Sequence, residues 1–342
     1  MYRTDELVRA LNVRDLTDPA QGPHAMQLLI ADLKAALPDT REVRHHPLVP
    51  VEHNYEHLGY PADAITRDAR YTRYVSETCM LRSHTTAMIP PVLKHVQPDV
   101  TLLCPGVVYR RDTVDRLHTG TPHQLELWRI THTHEPFDDL VDTVVRTVLP
   151  GKRYRTTDAV HPYTTHGKQI DVWHDGQWVE IGEGGYAARH VLKHHPHGLA
   201  LGFGLDRLVM LRKGVPDIRL LRNDDPRIAA QMQDLAPYQQ VSRHPAATRD
   251  ISIMAGEHAD AETLGDAIRA LDPQDLVEEI EILSETPAHE LPEHVRVRLD
   301  AKAGQKNVLI RVTMRAPERT LTDRETNDLR DRLLQGLRAT AP

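Results

Sequence analysis

Residues 198–211 read GLALGFGLDRLVML, and about ninety residues earlier residues 107–126 read VVYRRDTVDRLHTGTPHQLE. In the later stretch a glycine-rich strand end runs into an apolar periodic segment, which puts Arg207 in the first turn of a helix. In the earlier one, Arg110 follows Val107, Val108 and Tyr109, the composition of a strand, with Asp112 two positions on and facing the same way. Guanidinium groups match phosphate oxygens with a planar fork and keep their charge at all working pH values. One on a strand and one on a helix suit a polyanion held between them. Either pattern alone is as well explained by an exposed ion pair beside a glycine turn; their order, spacing and flanks carry the argument.

Working outward, residues 1–40 read as helix, with Met26, Leu29, Ile30, Leu33 and Leu37 in helical spacing and Pro38 as a stop. Residues 43–198 read mostly as short strands broken by Pro, Gly and Asp. Within them QIDVWHDGQWVEI (169–181) alternates around Asp175-Gly176 and reads as a β-hairpin. An antiparallel sheet flanked by helices is the α+β pattern. Pro237 and Pro245 bracket a polar stretch, so a linker falls there and divides the chain into domains at 1–236 and 237–342. The second domain reads as strand 250–254, helix 261–271, strands 277–283, 294–299 and 308–314, and helix 323–337, near the ferredoxin-like plan.

Composition narrows the class. The chain has 342 residues, 40% of them apolar, enough to build one large core or two ordinary ones. No apolar run approaches a membrane span, and the first eighteen residues carry four acids and no apolar core of a signal. A cytoplasmic protein without membrane contact is the expectation. Cys79 and Cys104 are too few for a zinc cluster or a disulfide framework. Twenty-two histidines leave a metal site open around His132 and His134 or His190, His194, His195 and His197, although solvated or capping histidines read better.

These segments together resemble the class II aminoacyl-tRNA synthetases, and among them phenylalanyl-tRNA synthetase of the single-chain mitochondrial type. HNYEHLGYPAD (53–63) and LRSHTT (81–86) are similar to the family's first-motif region and its Leu-Arg-Thr-His-Thr-Ser; residues 108–126 resemble motif 2 and residues 198–223 motif 3. HPAATRDISI (244–253) and PERTLTDRE (317–325) resemble the ferredoxin-like anticodon-binding module that ends those enzymes. The resemblance implies a class II antiparallel sheet flanked by helices, followed by a small ferredoxin-like α+β domain. It implies activation of an amino acid with ATP and Mg²⁺, ligation to tRNA, and a monomer or homodimer.

It also implies roles. Arg110 and Arg207 would be the catalytic cations, with Asp112, His118 and Glu180 also on ATP, and Glu180 on the metal. His84, Thr86, Gln124 and Glu126 would bind the amino acid's charged groups. Gln124 and Glu126, two apart on a strand, point to one face and offer acceptors for an ammonium group. His123 fits either a motif-2 ligand or a satisfied sheet histidine.

Departures from the family gather in the pocket. Where it has Phe-Pro-Phe-Thr this chain has His161-Pro162-Tyr163-Thr164; Leu199-Ala200-Leu201 replaces Phe-Ala-Phe, keeping Ala200 as the small residue at the pocket floor; and Glu183-Gly184-Gly185 replaces Gly-Cys-Gly or Gly-Ala-Gly. A buried carboxylate and ring nitrogen without partners cost several kcal/mol, so the expectation is a polar ligand group that satisfies them. Histidine, a polar aromatic or a small basic amino acid would supply one. The other reading has Glu183 facing nucleotide or solvent while His161 and Tyr163 stack as the phenylalanines did, with phenylalanine as substrate. The second domain adds a further departure: residues 238–342 hold 14 Lys+Arg against 19 Asp+Glu, a net of −5, and phosphate binding draws on cations. Arg243, Arg249, Arg311, Arg315 and Arg319 are its candidates for a local basic face. A tRNA ligase is therefore set beside a paralogue that delivers its adenylate to another acceptor, and beside a non-catalytic sensor.

Overall fold

The computed structural model describes residues 3–111, 113, 115–241 and 244–340. They fall into two compact units, one of Met1–Arg110, Thr121–Val215 and Gln231–Tyr238, the other of Arg111–Gly120, Pro216–Ala230 and Gln239–Pro342.

The strands in chain order are β1 (Thr40–Glu42), β2 (Leu48–Pro50), β3 (Arg73–Tyr74), β4 (Cys79–Leu81), β5 (Val100–Val107), β6 (His123–Thr131), β7 (Tyr154–Asp158), β8 (Thr164–His174), β9 (Gln177–Ala187), β10 (His197–Gly204), β11 (Ala247–Gly256), β12 (Val277–Pro287) and β13 (Gln305–Met314). Seven make the main sheet, in the order β1-β5-β6-β10-β9-β8-β7. Only β1 runs parallel to its neighbour; the other pairs are antiparallel. β5 and β6 are buried almost throughout, and β5 reads as a near-continuous apolar run, as strands covered on both faces do. The hairpin joining β8 to β9 turns at Asp175 and Gly176, with φ of 46° and 83°. Two consecutive positive φ values suit the tight turn whose twist matches paired strands, which is why Asp-Gly stands there.

The N-terminal reading needs division. Thr4–Leu11 and Ala25–Ala36 are separate helices, because Pro19, Gly22 and Pro23 interrupt the run. The second buries Ala25, Met26, Leu29, Ile30 and Leu33. Phe137–Val148 is also a helix inside the stretch read as strands. Its Val and Thr content favours strands, but Phe137, Leu140, Val141, Val144, Val145 and Val148 repeat at helical spacing and all are buried, so the apolar period overrides propensity. The helix Leu205–Lys213 ends at Gly214, whose φ of 69° gives the left-handed stop.

In the second unit β13 lies between β11 and β12, both antiparallel to it. Ile251, Ile253, Val308, Ile310, Val312 and Met314 form a core with Leu264 and Ile268 of the helix Ala261–Leu271 and Leu329, Leu333 and Leu337 of the helix Asp323–Thr340. Each such buried side chain contributes about 1.5–3 kcal/mol. A Cβ on Gly336 would lie 2.4 Å from Leu271, so glycine permits the close approach of these two helices. Residues 294–299, expected as a strand, are helical: Glu293–Leu299 follows Pro292 and buries none of its residues. Alternation in HVRVRL marks a strand only where one face is covered, and Val297 stays 77% exposed.

Candidate active site

Strand register builds one face of the site. Glu126 of β6 pairs with Gly202 of β10, and Gly202 pairs with Glu183 of β9. Directly paired residues share a face, so two carboxylates flank a residue without a side chain. A Cβ at Gly202 would come within 3.1 Å of Glu126 Oε2. The adjacent row is Trp128, Ala200 and Gly185, and on the other side Gln124 pairs with Gly204. Ala200 is fully buried.

Glu126 is held from both sides. The Thr86 hydroxyl donates to Oε2 at 2.7 Å and the Trp128 indole N–H to Oε1 at 2.6 Å. Burial, and then the Glu183 charge, push its carboxyl up to about 8 against those hydrogen bonds. A protonated acid at neutral pH is thus ready to ionise when a cation arrives. Gln124 Oε1 accepts from the Thr85 backbone N–H at 3.2 Å. Trp128 and Tyr60 are site residues that the sequence reading missed. The alternation Gln124, Glu126, Trp128 continues on one face and was the available signal for the first.

His84 precedes the 3-10 turn Thr85–Met88, its ring stacked on Tyr60 at 5.7 Å and edge-on to Tyr55 at 6.5 Å. Both of its ring nitrogens are buried without a hydrogen-bond partner. Burial, then the charge of Arg110, hold its pKa down to about 4 against an interaction with the Asn54 backbone, so it is a neutral imidazole.

His161 and Glu183 meet: Nε2 lies 2.8 Å from Oε2, with Nδ1 3.2 Å from the Thr164 hydroxyl. The expectation that both groups lack protein partners is corrected here, since each satisfies the other. Burial works to raise Glu183, but the hydrogen bond and charge of His161, then the charge of Arg110, hold its carboxyl below the usual range. Its side chain is 44% exposed. His161 also stacks on Tyr163 at 5.9 Å. Tyr163 is buried, and burial followed by the charges of Glu126 and Glu183 raises its hydroxyl well above normal.

Arg110 lies three residues beyond the end of β5 and makes an isolated bridge to Thr72, so the strand stops earlier than expected. Its charge acts on His84, Glu183 and Glu180. Arg207 occupies the first turn of its helix, as expected, and its Nη1 donates to the Glu180 carbonyl at 2.7 Å. Glu180 is exposed on β9; partial burial raises its carboxyl, Arg207 opposes this, and Glu183 and Asp171 add to it. Asp112 lies outside the described residues. His118 belongs to the second unit, where Nδ1 contacts Asp115 Oδ2 at 2.7 Å.

His123 resolves as a core histidine. It is fully buried, Nε2 accepts from the Leu16 N–H at 3.1 Å, and Nδ1 lies 3.1 Å from Asp206 Oδ1. With one nitrogen accepting, the other carries the proton toward the carboxylate. His195 is buried with Nε2 2.7 Å from the Leu93 carbonyl, and His134 stacks on Tyr186 at 5.1 Å.

Candidate phosphate contacts in the second unit are tied up. Arg249 pairs with Asp323 at 3.1 Å, Arg311 with Asp250 at 2.9 Å, Arg315 with Glu278 at 2.8 Å and Arg319 with Glu325 at 2.6 Å. Arg243 is outside the described residues. No helix among the described residues is long and apolar enough to cross a membrane.

With this geometry in place, comparison with known proteins gives two family matches: residues 22–232 match the tRNA synthetases class II core domain (F), and residues 242–341 the ferredoxin-fold anticodon binding domain. The chain is 26% identical over 310 residues to the chloroplastic/mitochondrial phenylalanine–tRNA ligase of Arabidopsis thaliana, covering 84% of this chain and 68% of that protein. It is 25% identical over 350 residues to the probable mitochondrial phenylalanine–tRNA ligase of Drosophila melanogaster, covering 83% and 74%. With the phenylalanine–tRNA ligase alpha subunit of Synechocystis sp. it shares 32% over 191 residues, 52% of this chain and 57% of that one.

Proposed function

The chain belongs to the class II tRNA synthetase core family (F), and from that premise we propose that it activates an aromatic or polar amino acid other than phenylalanine and ligates it to tRNA. The observation that carries the specificity is the His161–Glu183 pair, which stands where the resembled family sets aromatic and small residues. Glu183 keeps its charge and part of its surface while spending one oxygen on His161. A substrate side chain with a donor or a cation would meet the remaining acceptor, and a site built around such a group rejects an analogue lacking it by large factors.

In the proposed reaction the substrate carboxylate attacks the α-phosphorus of ATP. An O–P bond forms, the bond to the β-phosphate oxygen breaks, and pyrophosphate leaves; the terminal hydroxyl of tRNA then takes the aminoacyl group and AMP departs. The chain supplies position and charge. Glu126 and Gln124 would take the ammonium, its arrival ionising Glu126. His84 and Thr86 would face the carboxylate end, Tyr163 and Ala200 would bound the side chain, and Arg110 would hold the α-phosphate while Arg207 holds the far phosphates. An exposed carboxylate beside an arginine that holds phosphates fits Mg²⁺, a hard ion commonly bound through one or two carboxylates plus phosphate oxygens, so Glu180 would hold it. The ion would supply charge neutralisation on the phosphates.

ATP–pyrophosphate exchange with the twenty amino acids and polar aromatic analogues tests this reading. Exchange with a polar amino acid supports it; exchange with phenylalanine alone removes the specificity claim; none with any substrate removes the activity. A second reading, delivery of the adenylate to a non-tRNA acceptor, is favoured by one observation: the four described arginines of the presumed basic face each hold a carboxylate. A salt-dependent shift assay with bulk tRNA separates the two.

A further inference from the structure

Just ahead of the segment that supports His84, Glu52, His53 and His57 bring one donor atom each to within 4.8 Å of one another. Glu52 and His53 are on the helix Val51–Asn54 and His57 on the 3-10 turn Glu56–Leu58. The two imidazole centroids are 5.4 Å apart, and His53 Nε2 lies 4.0 Å from Glu52 Oε1. Among the described residues none of the three side chains spends a hydrogen bond on the protein, so their donor atoms are available. We propose that Glu52, His53 and His57 form a binding site for a borderline divalent cation of the Zn²⁺ type.

The donor set decides the class of ion. Two imidazoles and one carboxylate suit Zn²⁺ and poorly suit Ca²⁺ or Mg²⁺, which take oxygen ligands. Donor atoms on a tetrahedral ion sit roughly 3.3–3.5 Å apart given bonds of about 2.0–2.1 Å, so closing the site asks for a modest inward movement. Glu52 is exposed enough to make it, at 60% side-chain accessibility.

The position gives the site a purpose. Asn54, adjacent to His53, accepts from the Ser83 N–H at 3.1 Å and donates to the Ser83 hydroxyl at 2.9 Å, and Tyr55 and Tyr60 pack on His84. A metal clasping 52–57 would stiffen the segment on which the His84 ring rests.

The test titrates Zn²⁺ into the full chain against a chromogenic chelator and records the visible spectrum with Co²⁺ in its place. We expect one equivalent bound, a tetrahedral Co²⁺ band, and at least about tenfold weaker binding in H53A and H57A, with E52Q also weakened. H134A and H194A are expected to bind as the parent does. Melting without metal shows that the variants are folded; should H53A fail to fold, H57N takes its place. Binding that survives H53A/H57A, or no saturable binding to the parent, overturns the proposal.

Discussion

The two units treat their polar groups in opposite ways. At the head of the main sheet two imidazole nitrogens of His84 are buried with no partner, and Glu126 is pushed up to about 8. In the second unit four arginines of the candidate basic face, Arg249, Arg311, Arg315 and Arg319, each hold a carboxylate. Leaving a buried polar atom unmet costs about 1–3 kcal/mol, which a folded protein retains where a ligand repays it. Exposed ion pairs are worth only about 0.2–1 kcal/mol each. RNA could break them cheaply, but the freed carboxylates would then repel its phosphates. The first region thus keeps buried polar atoms unmet, whereas the second pairs the arginines of its candidate basic face and is net acidic.

Breaking the first half of the contrast gives the largest effect. Arg110→Ala or Arg207→Ala should lower ATP–pyrophosphate exchange by about 10²–10³, with an unchanged circular dichroism spectrum. Arg110→Lys should restore little, because a point charge does not reproduce the fork.

The pocket pair sharpens it further. Replacing His161 by Phe together with Glu183 by Gly should move the kcat/KM ratio toward phenylalanine by at least about tenfold. An unchanged ratio in competitive exchange would mean that the pair serves only folding.

Glu126 ties the site to pH. Its folded-state pKa lies above the unfolded value, so the folded state binds the extra proton between roughly 4.5 and 8. Its contribution is complete below about 4.5 and is lost as pH rises through about 8. Melting curves of Glu126→Gln should therefore lose a decline worth a few kcal/mol, at about 1.4 kcal/mol per unit, that the parent shows over that window. Bound amino acid should flatten the parent's decline, since the ammonium favours the ionised acid.

The smallest effects belong to the second unit. Arg311→Ala should leave the melting temperature nearly unchanged, because the pair is solvent-screened, and should change bulk tRNA affinity by less than about twofold. Asp250→Lys, with Glu281→Lys on the same row of the sheet, should strengthen tRNA binding and steepen its salt dependence by about one unit per added cation. A parent protein that already binds with a steep salt slope would reverse the comparison.

Much of this was legible in the sequence because it is local. The Asp175-Gly176 turn, Arg207 in the first helical turn and the shared face of Gln124 and Glu126 follow from backbone preference and period alone. Where two local signals conflict, the sequence misleads. Residues 137–148 have strand propensity on a helical period, and residues 294–299 alternate without a partner to cover them. Only the tertiary structure decides which side chains find each other. His161 and Glu183, twenty-two residues apart, turn out to satisfy one another; His123 is spent between Leu16 and Asp206; and His84 is left unmet. Whether a polar atom is satisfied depends on distances across the sheet, which the order of residues along the chain does not contain.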